Sequence, residues 1–139
     1  MSEMAQSQLR IPDDEIDFSD DLIYFYAGKR FTGVSYDDVP GYGLSEITYL
    51  DGLQEGPARD WYASGQLKSE ANFHRNVRHG VSREWAESGE LQKEDLYEFG
   101  VHVRSHVFGD CGEVTVAFEL SDESPNFALL KQMREQAKS

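Results

Sequence analysis

The chain has 139 residues, which is long enough for one domain with a hydrophobic core. Its net charge of −13 predicts repulsion from nucleic acid and from anionic lipid, and attraction to basic proteins. A single cysteine excludes an intrachain disulfide, the start MSEMAQSQLR lacks the features of a signal peptide, and no apolar run is as long as a membrane span. We therefore expect a cytoplasmic protein.

The acidic excess is greatest at the start of the chain. Residues 1–24 contain seven acidic residues and one basic residue. We define an acidic N-terminal segment, residues 1–21, and expect its beginning to be frayed because it is polar and terminal. Residues 22–26 are apolar or aromatic and precede Gly28, which predicts a short buried strand.

A 24-residue repeat occupies the middle of the chain. The positions that recur without a gap are Gly56/Gly80, Trp61/Trp85, Gly65/Gly89, Leu67/Leu91, Glu70/Glu94 and Phe73/Tyr97. Two copies are clear, at 52–75 and 76–99. A degenerate copy spans 28–51, with one residue inserted before Gly33, and a partial copy begins at Gly100. Repeats of this length are typical of stacked supersecondary units.

Each repeat predicts one β-hairpin. Glycine separates two stretches of strand length, and the second stretch alternates, with Leu67, Ser69, Ala71 and Phe73 on one face. We expect antiparallel hairpins to lie side by side in one elongated twisted sheet, because a single hairpin cannot bury its own apolar face. The rings of Tyr49, Phe73 and Tyr97 are expected to stack along this sheet.

The C-terminal part predicts one strand and one helix. Residues 113–120 alternate, which would place Val114, Val116, Phe118 and Leu120 inward. Ser124 and Pro125 are typical of a helix start, and we expect a helix over 125–137 that caps the open end of the sheet. The chain is thus divided into the acidic segment 1–21, a repeat array 22–107 and a C-terminal strand and capping helix 108–139, all in a single domain.

The repeat resembles that of the MORN-repeat variant family, which includes the YwqK-type antitoxins. The resemblance rests on YLDGLQEGPARDWYASGQLKSEANF, HRNVRHGVSREWAESGELQKEDLY and the opening AGKRFTGVSY, and covers residues 24–101. It implies an array of β-hairpins that binds other proteins or acts as a scaffold. Two features depart from the family pattern: Asn76 stands where glycine is usual, and the tail after Val101 has no assigned motif.

Few residues are candidates for chemistry. His102 and His106 are expected on one face of a strand with Arg104 between them, and an arginine repels a cation, so we interpret them as a surface pair. Cys111 lies in a glycine-rich turn, and no positioned base accompanies it. We therefore predict no catalytic residues, no cofactor, no metal site and no enzymatic activity.

Charged residues recur with the repeat. Arg59 and Arg83 are expected to form cross-strand pairs with Glu70 and Glu94, which would be a structural role. A functional interpretation is that exposed acidic residues, with one aromatic anchor, form a partner-binding face. The candidates are Asp51, Glu55, Asp60, Tyr62, Glu84, Glu87 and Glu90.

The sequence therefore favours a non-catalytic antitoxin or immunity protein that covers the active surface of a cognate basic toxin, such as a nuclease. The alternative is a MORN-type scaffold that organises other proteins or contacts membranes. Under the leading hypothesis, we expect the protein to bind neither nucleic acid nor a membrane. The sequence leaves the oligomeric state open, because an exposed edge strand can pair with a second copy.

Overall fold

The computed structural model describes residues 9–138, so the first eight residues of the predicted acidic segment, and Ser139, lie outside the described residues. The chain forms thirteen strands and one helix. The strands are β1 (Arg10–Pro12), β2 (Asp17–Phe18), β3 (Tyr24–Tyr26), β4 (Lys29–Arg30), β5 (Gly33–Val39), β6 (Gly43–Leu50), β7 (Leu53–Tyr62), β8 (Leu67–His74), β9 (Val77–Arg78), β10 (Gly80–Trp85), β11 (Leu91–Glu98), β12 (Val101–Phe108) and β13 (Val114–Glu119). The helix, α1, spans Pro125–Ala137.

Ten of these strands form the main sheet, in the order β1-β5-β6-β7-β8-β10-β11-β12-β13, with the short strand β9 paired to β8. Every pairing is antiparallel except that of β1 with β5. The order follows the chain because each strand turns back onto its predecessor. The predicted mostly β fold, with antiparallel hairpins and one C-terminal helix, is confirmed.

The 24-residue period appears as tight turns at one end of the sheet. Two-residue turns with positive φ at both positions occur at Ala27-Gly28, Asp51-Gly52, Arg75-Asn76 and Phe99-Gly100. Such turns match the right-handed twist of the strands and favour glycine or asparagine, because both tolerate positive φ. Asn76 therefore replaces glycine without changing the turn type.

The tail after Val101 forms a further hairpin. At the opposite end of the sheet, backbone N–H groups of Tyr62, Ala86 and Gly109 donate to the carbonyl groups four residues later at 2.8–2.9 Å. The interval between these turns is 24 residues and then 23. The last hairpin, β12–β13, is thus a repeat unit in backbone geometry although its side chains do not follow the motif.

A second, three-stranded sheet, β2-β3-β4, packs beside the main sheet. The buried core lies here and contains Ile11, Phe31 and Tyr49, with Tyr24 packed against them. Ring centroids of Tyr24 and Phe31 lie 4.8 and 5.4 Å from that of Tyr49. The prediction of one continuous sheet is therefore incomplete, since strands β2–β4 fold into a separate sheet whose tyrosines pack against core residues of the main sheet.

The stacking predicted for Tyr49, Phe73 and Tyr97 is not formed in this way. The residues lie on β6, β8 and β11, so another strand separates each from the next. Neighbouring strands are about 4.8 Å apart, which places equivalent rings roughly 9–10 Å apart, beyond the contact distance of a ring stack. Of the three, Tyr49 is buried and the other two are half-buried.

The C-terminal strand is exposed, which corrects the inward placement predicted for its apolar residues. Val114 and Val116 of β13 are 55% and 54% exposed, and Phe118 is 40% exposed. Helix α1 is instead fixed by the buried Leu130 and by Arg134, which contacts Glu98 of β11. Alternation alone cannot distinguish a strand with one buried face from an edge strand that nothing covers.

Candidate functional site

The two faces of the main sheet carry different charge patterns. Successive residues on a strand point to opposite faces, so neighbours such as Arg59 and Asp60 lie on different sides of the sheet. The strand register then places equivalent residues in continuous rows across five strands, from β5 or β6 to β10 or β11. We call the two sides the ladder face and the row face.

The ladder face carries alternating charges. Its charge ladder consists of residues in direct register on β6, β7, β8, β10 and β11, namely Glu46, Arg59, Glu70, Arg83 and Glu94. Arg59 Nε donates to Glu70 Oε2 at 2.6 Å, and Arg83 Nε donates to Glu94 Oε2 at 2.7 Å. The predicted cross-strand pairs are therefore formed, and each arginine also faces a second glutamate on its other side.

A further arginine completes the ladder at the N-terminal edge. Arg10 Nη2 donates to Glu46 Oε2 at 2.9 Å, and the guanidinium lies 4.0 Å from the ring centroid of Tyr36. Three carboxylates are thus interleaved with three guanidinium groups. The ladder is neutral, and opposite charges that face each other across strands stabilise the sheet.

The row face carries acidic residues that are interleaved with serine. Its acidic row is formed by residues in direct register on β5, β6, β7, β8 and β10, namely Asp37, Ser45, Asp60, Ser69 and Glu84. The first cation in this register is Lys93 on β11. Carboxylates on alternate strands are about 9–10 Å apart. Within the register the row therefore presents regularly spaced negative charge with no cation between its members, while Lys68 lines a groove beside Asp37 and Asp60, and Arg78 one beside Asp60 and Glu84.

The serines orient the central carboxylate of the row. Asp60 accepts a hydrogen bond from the hydroxyl of Ser45 and a second one, at 2.8 Å, from the hydroxyl of Ser69. An open groove of about 230 Å³ continues from Asp60 past Glu84 over small side chains such as Ala71 and Ser82. The alanine and serine side chains at the base of this groove are short, so a partner can approach the carboxylates closely.

The N-terminal segment extends the acidic surface beyond β5. An open groove of about 400 Å³ is lined by Pro12, Asp13, Asp14, Tyr36, Asp37 and Asp38. Asp13 begins the 3-10 turn Asp13–Glu15, which follows β1. The acidic segment predicted from composition thus lies next to the first carboxylate of the row, and negative charge continues around this edge of the sheet.

The structure brings together two of the seven predicted partner-binding residues. Asp60 and Glu84 are both members of the acidic row. Glu87 and Glu90 are exposed in the turn between β10 and β11, at the end of the sheet where β10 finishes. Asp51 is exposed in the β6–β7 turn at the opposite end.

The other two predicted residues are engaged within the protein. Glu55 on β7 lies 3.0 Å from the ring nitrogen Nδ1 of His74 and accepts from the backbone N–H of Arg75. These hydrogen bonds, chiefly that of His74, lower the pKa of the Glu55 carboxyl. Tyr62 is half-buried, and its hydroxyl donates to the carbonyl of Trp85 at 2.7 Å. Their role in partner binding remains a prediction.

Sequence reasoning missed Asp37, which begins the acidic row. The signal was present, because the residue inserted before Gly33 changes the spacing of the first copy from 24 to 23 on this strand. With that shift, Asp37 is the equivalent of Asp60, which in turn precedes Glu84 by 24. Applying the one-residue shift to all of β5 aligns Asp37 with Asp60.

The two C-terminal histidines do not share a face, which corrects the predicted surface pair. A register shift between Leu96 and Tyr97 adds Val103 to β12 as an extra residue. His102 consequently lies on the row face, where its Nε2 is 2.8 Å from Asp95 Oδ1, whereas His106 faces Glu94 on the ladder face. A β-bulge of this kind reverses the alternation that the sequence shows.

Other predicted sites can be located in the same way. Cys111 is exposed in the turn between β12 and β13, as expected from its glycine neighbours. Among residues 9–138 no group of three or more histidine, cysteine or acidic side chains could hold a metal ion. No helix in the described part of the chain is long and apolar enough to cross a membrane.

The family model of the MORN repeat variant matches the chain twice, at residues 54–75 and 78–98. These ranges contain β7–β8 and β9–β11, the hairpins that carry most of the ladder and of the row. Residues 54–75 and 78–98 are thus MORN-type repeats, and such repeats support a role in protein interaction. A search of curated proteins found no match to the chain.

Proposed function

We propose that the protein is a non-catalytic antitoxin or immunity protein of the cytoplasm, which neutralises a basic toxin by laying the acidic row over its active surface. The observation that carries this proposal is the row itself: Asp37, Asp60 and Glu84 are in register with no cation between them. The ladder on the other face of the same strands is neutral. Acidity is therefore organised on one face rather than spread evenly over the surface.

The spacing of the row supports attraction of a basic partner. Carboxylates on alternate strands are about 9–10 Å apart, close to the Debye length of about 8 Å at physiological ionic strength. Their fields therefore overlap just above the sheet. A surface of this kind raises the association rate of an oppositely charged protein by roughly 10- to 1,000-fold at low salt. Toxins that cleave nucleic acid carry basic active surfaces, which makes them a fitting class of partner.

The experiment is a capture from the native cytoplasm followed by reconstitution with the purified partner. The tagged wild-type protein is used beside the double variant Asp60→Asn/Glu84→Gln, which removes two charges from the acidic row. The control variant Asp122→Asn/Glu123→Gln removes the same charge from the exposed segment before α1. Retained proteins are identified by mass spectrometry at low and high salt, and the toxic or enzymatic activity of the purified partner is then titrated with each variant.

We expect one basic protein, bound one to one and released by salt, whose activity is inhibited by the wild type. The row variant should bind it roughly tenfold more weakly or worse, since charge pairs lost from an interface cost more than about 1.4 kcal/mol. The control variant should bind as the wild type does. Equal loss in both variants would contradict a role of the row, and a partner whose activity is unaffected would contradict neutralisation.

A MORN-type scaffold is the second candidate function. The extended surface of a repeat array favours it, because such arrays bind other proteins over several units. In the same experiment, recovery of several proteins that are not basic, with binding insensitive to the row variant, would support the scaffold. Membrane contact is the weaker form of this alternative, since a net charge of −13 opposes binding to anionic lipid.

A further inference from the structure

The free edge of β13 is a second feature of the molecule that is open to a partner. β13 is the last strand in the order of the main sheet, and each of its six residues is exposed. On its other side it pairs with β12 in antiparallel fashion. Alternate backbone N–H and C=O groups of an edge strand point away from the sheet, where they can pair with another strand.

The side chains along this edge have a definite pattern. The apolar residues Val114, Val116 and Phe118 are all at least two-fifths exposed, and a register shift in β13 places the two valines on the ladder face and Phe118 on the row face. Acidic residues stand at both ends of this apolar stretch, Glu113 before it and Glu119 as its last residue. A strand that fits this edge therefore has an apolar centre and a basic residue at each end.

A stack of rings on the row face also ends at this edge. The rings of Tyr97 and His102 lie 4.7 Å apart, and those of His102 and Phe118 lie 4.8 Å apart with only 12° between their planes. Arg78 begins the stack, with its guanidinium 5.1 Å from the ring centroid of Tyr97. The side of Phe118 that faces away from His102 is at the free edge, where a ring on an added strand would extend the stack.

We propose that β13 binds an extended segment of a partner protein, which adds to the main sheet as one more antiparallel strand. The segment has an aromatic residue opposite Phe118, β-branched residues opposite Val116 and Val114, and lysine or arginine opposite Glu119 and Glu113. This edge is separate from the acidic row, so the inference does not depend on the proposed function. Main-chain hydrogen bonds supply affinity in this mode of binding, and alternate side chains supply specificity.

A second copy of this chain fits the edge less well. Two copies of β13 that pair in antiparallel fashion about Val116 bring Glu119 of each close to Glu113 of the other, on neighbouring strands. Like charges at such short distances repel. Each copy also carries a net charge of −13, which adds repulsion. The acidic ends of β13 thus select a basic segment over self-pairing.

The test uses the full-length protein and a capped, fluorescent hexapeptide, Lys-Tyr-Val-Thr-Val-Lys, in which no residue is opposite the extra residue Ala117 of β13, with binding measured by fluorescence anisotropy. One control peptide has alternate backbone nitrogens methylated, which preserves its charge and removes its hydrogen bonds along one edge. A second control peptide has glutamate in place of both lysines. Light scattering of the protein alone measures its mass over the same concentration range.

The wild type should bind the lysine peptide, and both control peptides should bind roughly tenfold more weakly or not at all. The variants Phe118→Ala and Val116→Lys should weaken binding of the lysine peptide. The variant Leu129→Ala, which shortens an exposed apolar side chain on α1, should bind as the wild type does, and circular dichroism checks that each variant is folded.

Two results would overturn the inference. Equal binding of the lysine peptide and its methylated form would show that no strand is added. A doubling of the mass of the protein alone, abolished by Val116→Lys, would show that a second copy occupies the edge.

Discussion

The two faces of the main sheet are built from the same strands and differ by one residue in position. The ladder residues Arg59 and Arg83 are followed directly in sequence by the row residues Asp60 and Glu84. In the ladder every carboxylate is opposite a guanidinium, whereas in the row the carboxylates are opposite serine, and only Glu84 also has a cation, Lys93, on its other side. The same backbone thus places charge where it stabilises the protein on one side and leaves it free on the other.

This difference teaches that net charge alone is a poor guide to a binding surface. The ladder has three carboxylates, as many as the row, yet it is neutral because arginine is interleaved. A surface attracts a partner through charge that interleaved charges of opposite sign do not compensate. The following predictions test the distinction, from the largest expected effect on stability to the smallest.

The largest effect on stability is expected from a substitution in the Arg75-Asn76 turn. Asn76 has a φ of 75°, accepts from the backbone N–H of Gln54 at 2.7 Å and donates to the carbonyl of Leu22 at 2.8 Å. Asn76→Ala should lower the free energy of unfolding by about 3 kcal/mol, because it loses two hydrogen bonds and places alanine at positive φ. Asn76→Gly should lose less, since glycine adopts this φ without strain. Urea denaturation measures both; equal losses would show that backbone strain is unimportant here.

Reversal of one ladder charge should have the next largest effect. Arg83→Glu places a carboxylate between Glu70 and Glu94, so two favourable contacts become two repulsive ones. Each cross-strand charge contact is worth about 0.2–1 kcal/mol, and we expect a loss of about 2 kcal/mol in the free energy of unfolding. The matched variant on the other face, Glu84→Arg, reverses only one charge contact, that with Lys93, and should lower the free energy of unfolding by about 1 kcal/mol. Similar losses in the two variants would contradict the division of roles between the faces.

Acid should loosen the contact that fixes α1 to the ladder face. Arg134 donates two hydrogen bonds to Glu98, at 2.8 and 2.7 Å, and these lower the pKa of the Glu98 carboxyl below its usual 4.5. A carboxyl with a lowered pKa stabilises the fold above that usual value, and this contribution is lost as the pH falls through the lowered pKa. Wild type should therefore be more stable than Glu98→Gln at pH 7, and the difference should shrink as the pH falls below 4.5 and through the lowered pKa of Glu98. A constant difference across this range would contradict the linkage.

The smallest effect on stability is expected in the acidic row itself. Asp60→Asn/Glu84→Gln keeps the size of both side chains, and at position 60 the amide oxygen accepts from one serine while the amide NH2 donates to the hydroxyl oxygen of the other. The free energy of unfolding should change by less than about 0.5 kcal/mol in a thermal melt. Loss of partner binding without loss of stability would separate a surface used for function from one used for folding. A large destabilisation would instead assign the row a structural role.

The 24-residue repeat and its alternation predict much of this structure. The hairpins, the turns at 24-residue intervals and the cross-strand pairs of Arg59 with Glu70 and of Arg83 with Glu94 all follow from period and alternation. The separate N-terminal sheet did not follow, because residues 9–31 lie before the clear copies and their packing is set by tertiary contacts. The exposure of β13 did not follow either, since alternation reports a strand and not what covers it.

The candidate site was predicted only in part. Asp60 and Glu84 were found because they recur at 24, whereas Asp37 was missed because one inserted residue shifts it out of that period. Glu55 and Tyr62 were identified from charge and position, but their hydrogen-bond partners depend on residues twenty or so positions away. A one-residue insertion or bulge changes which face a side chain occupies, and single-sequence reasoning resolves such shifts poorly.

The two-residue turns at Gly28, Gly52, Asn76 and Gly100 recur at a fixed interval, so the sheet is extended in equal steps. Each unit adds two strands, and therefore about 9–10 Å, without altering the units on either side. A chain with a second copy of residues 52–75 inserted after Arg75 would gain one more hairpin, one more carboxylate in the row and one more arginine in the ladder. The length of the surface that contacts a partner is then set by the number of repeat copies. It can change in steps of one copy while the fold remains the same.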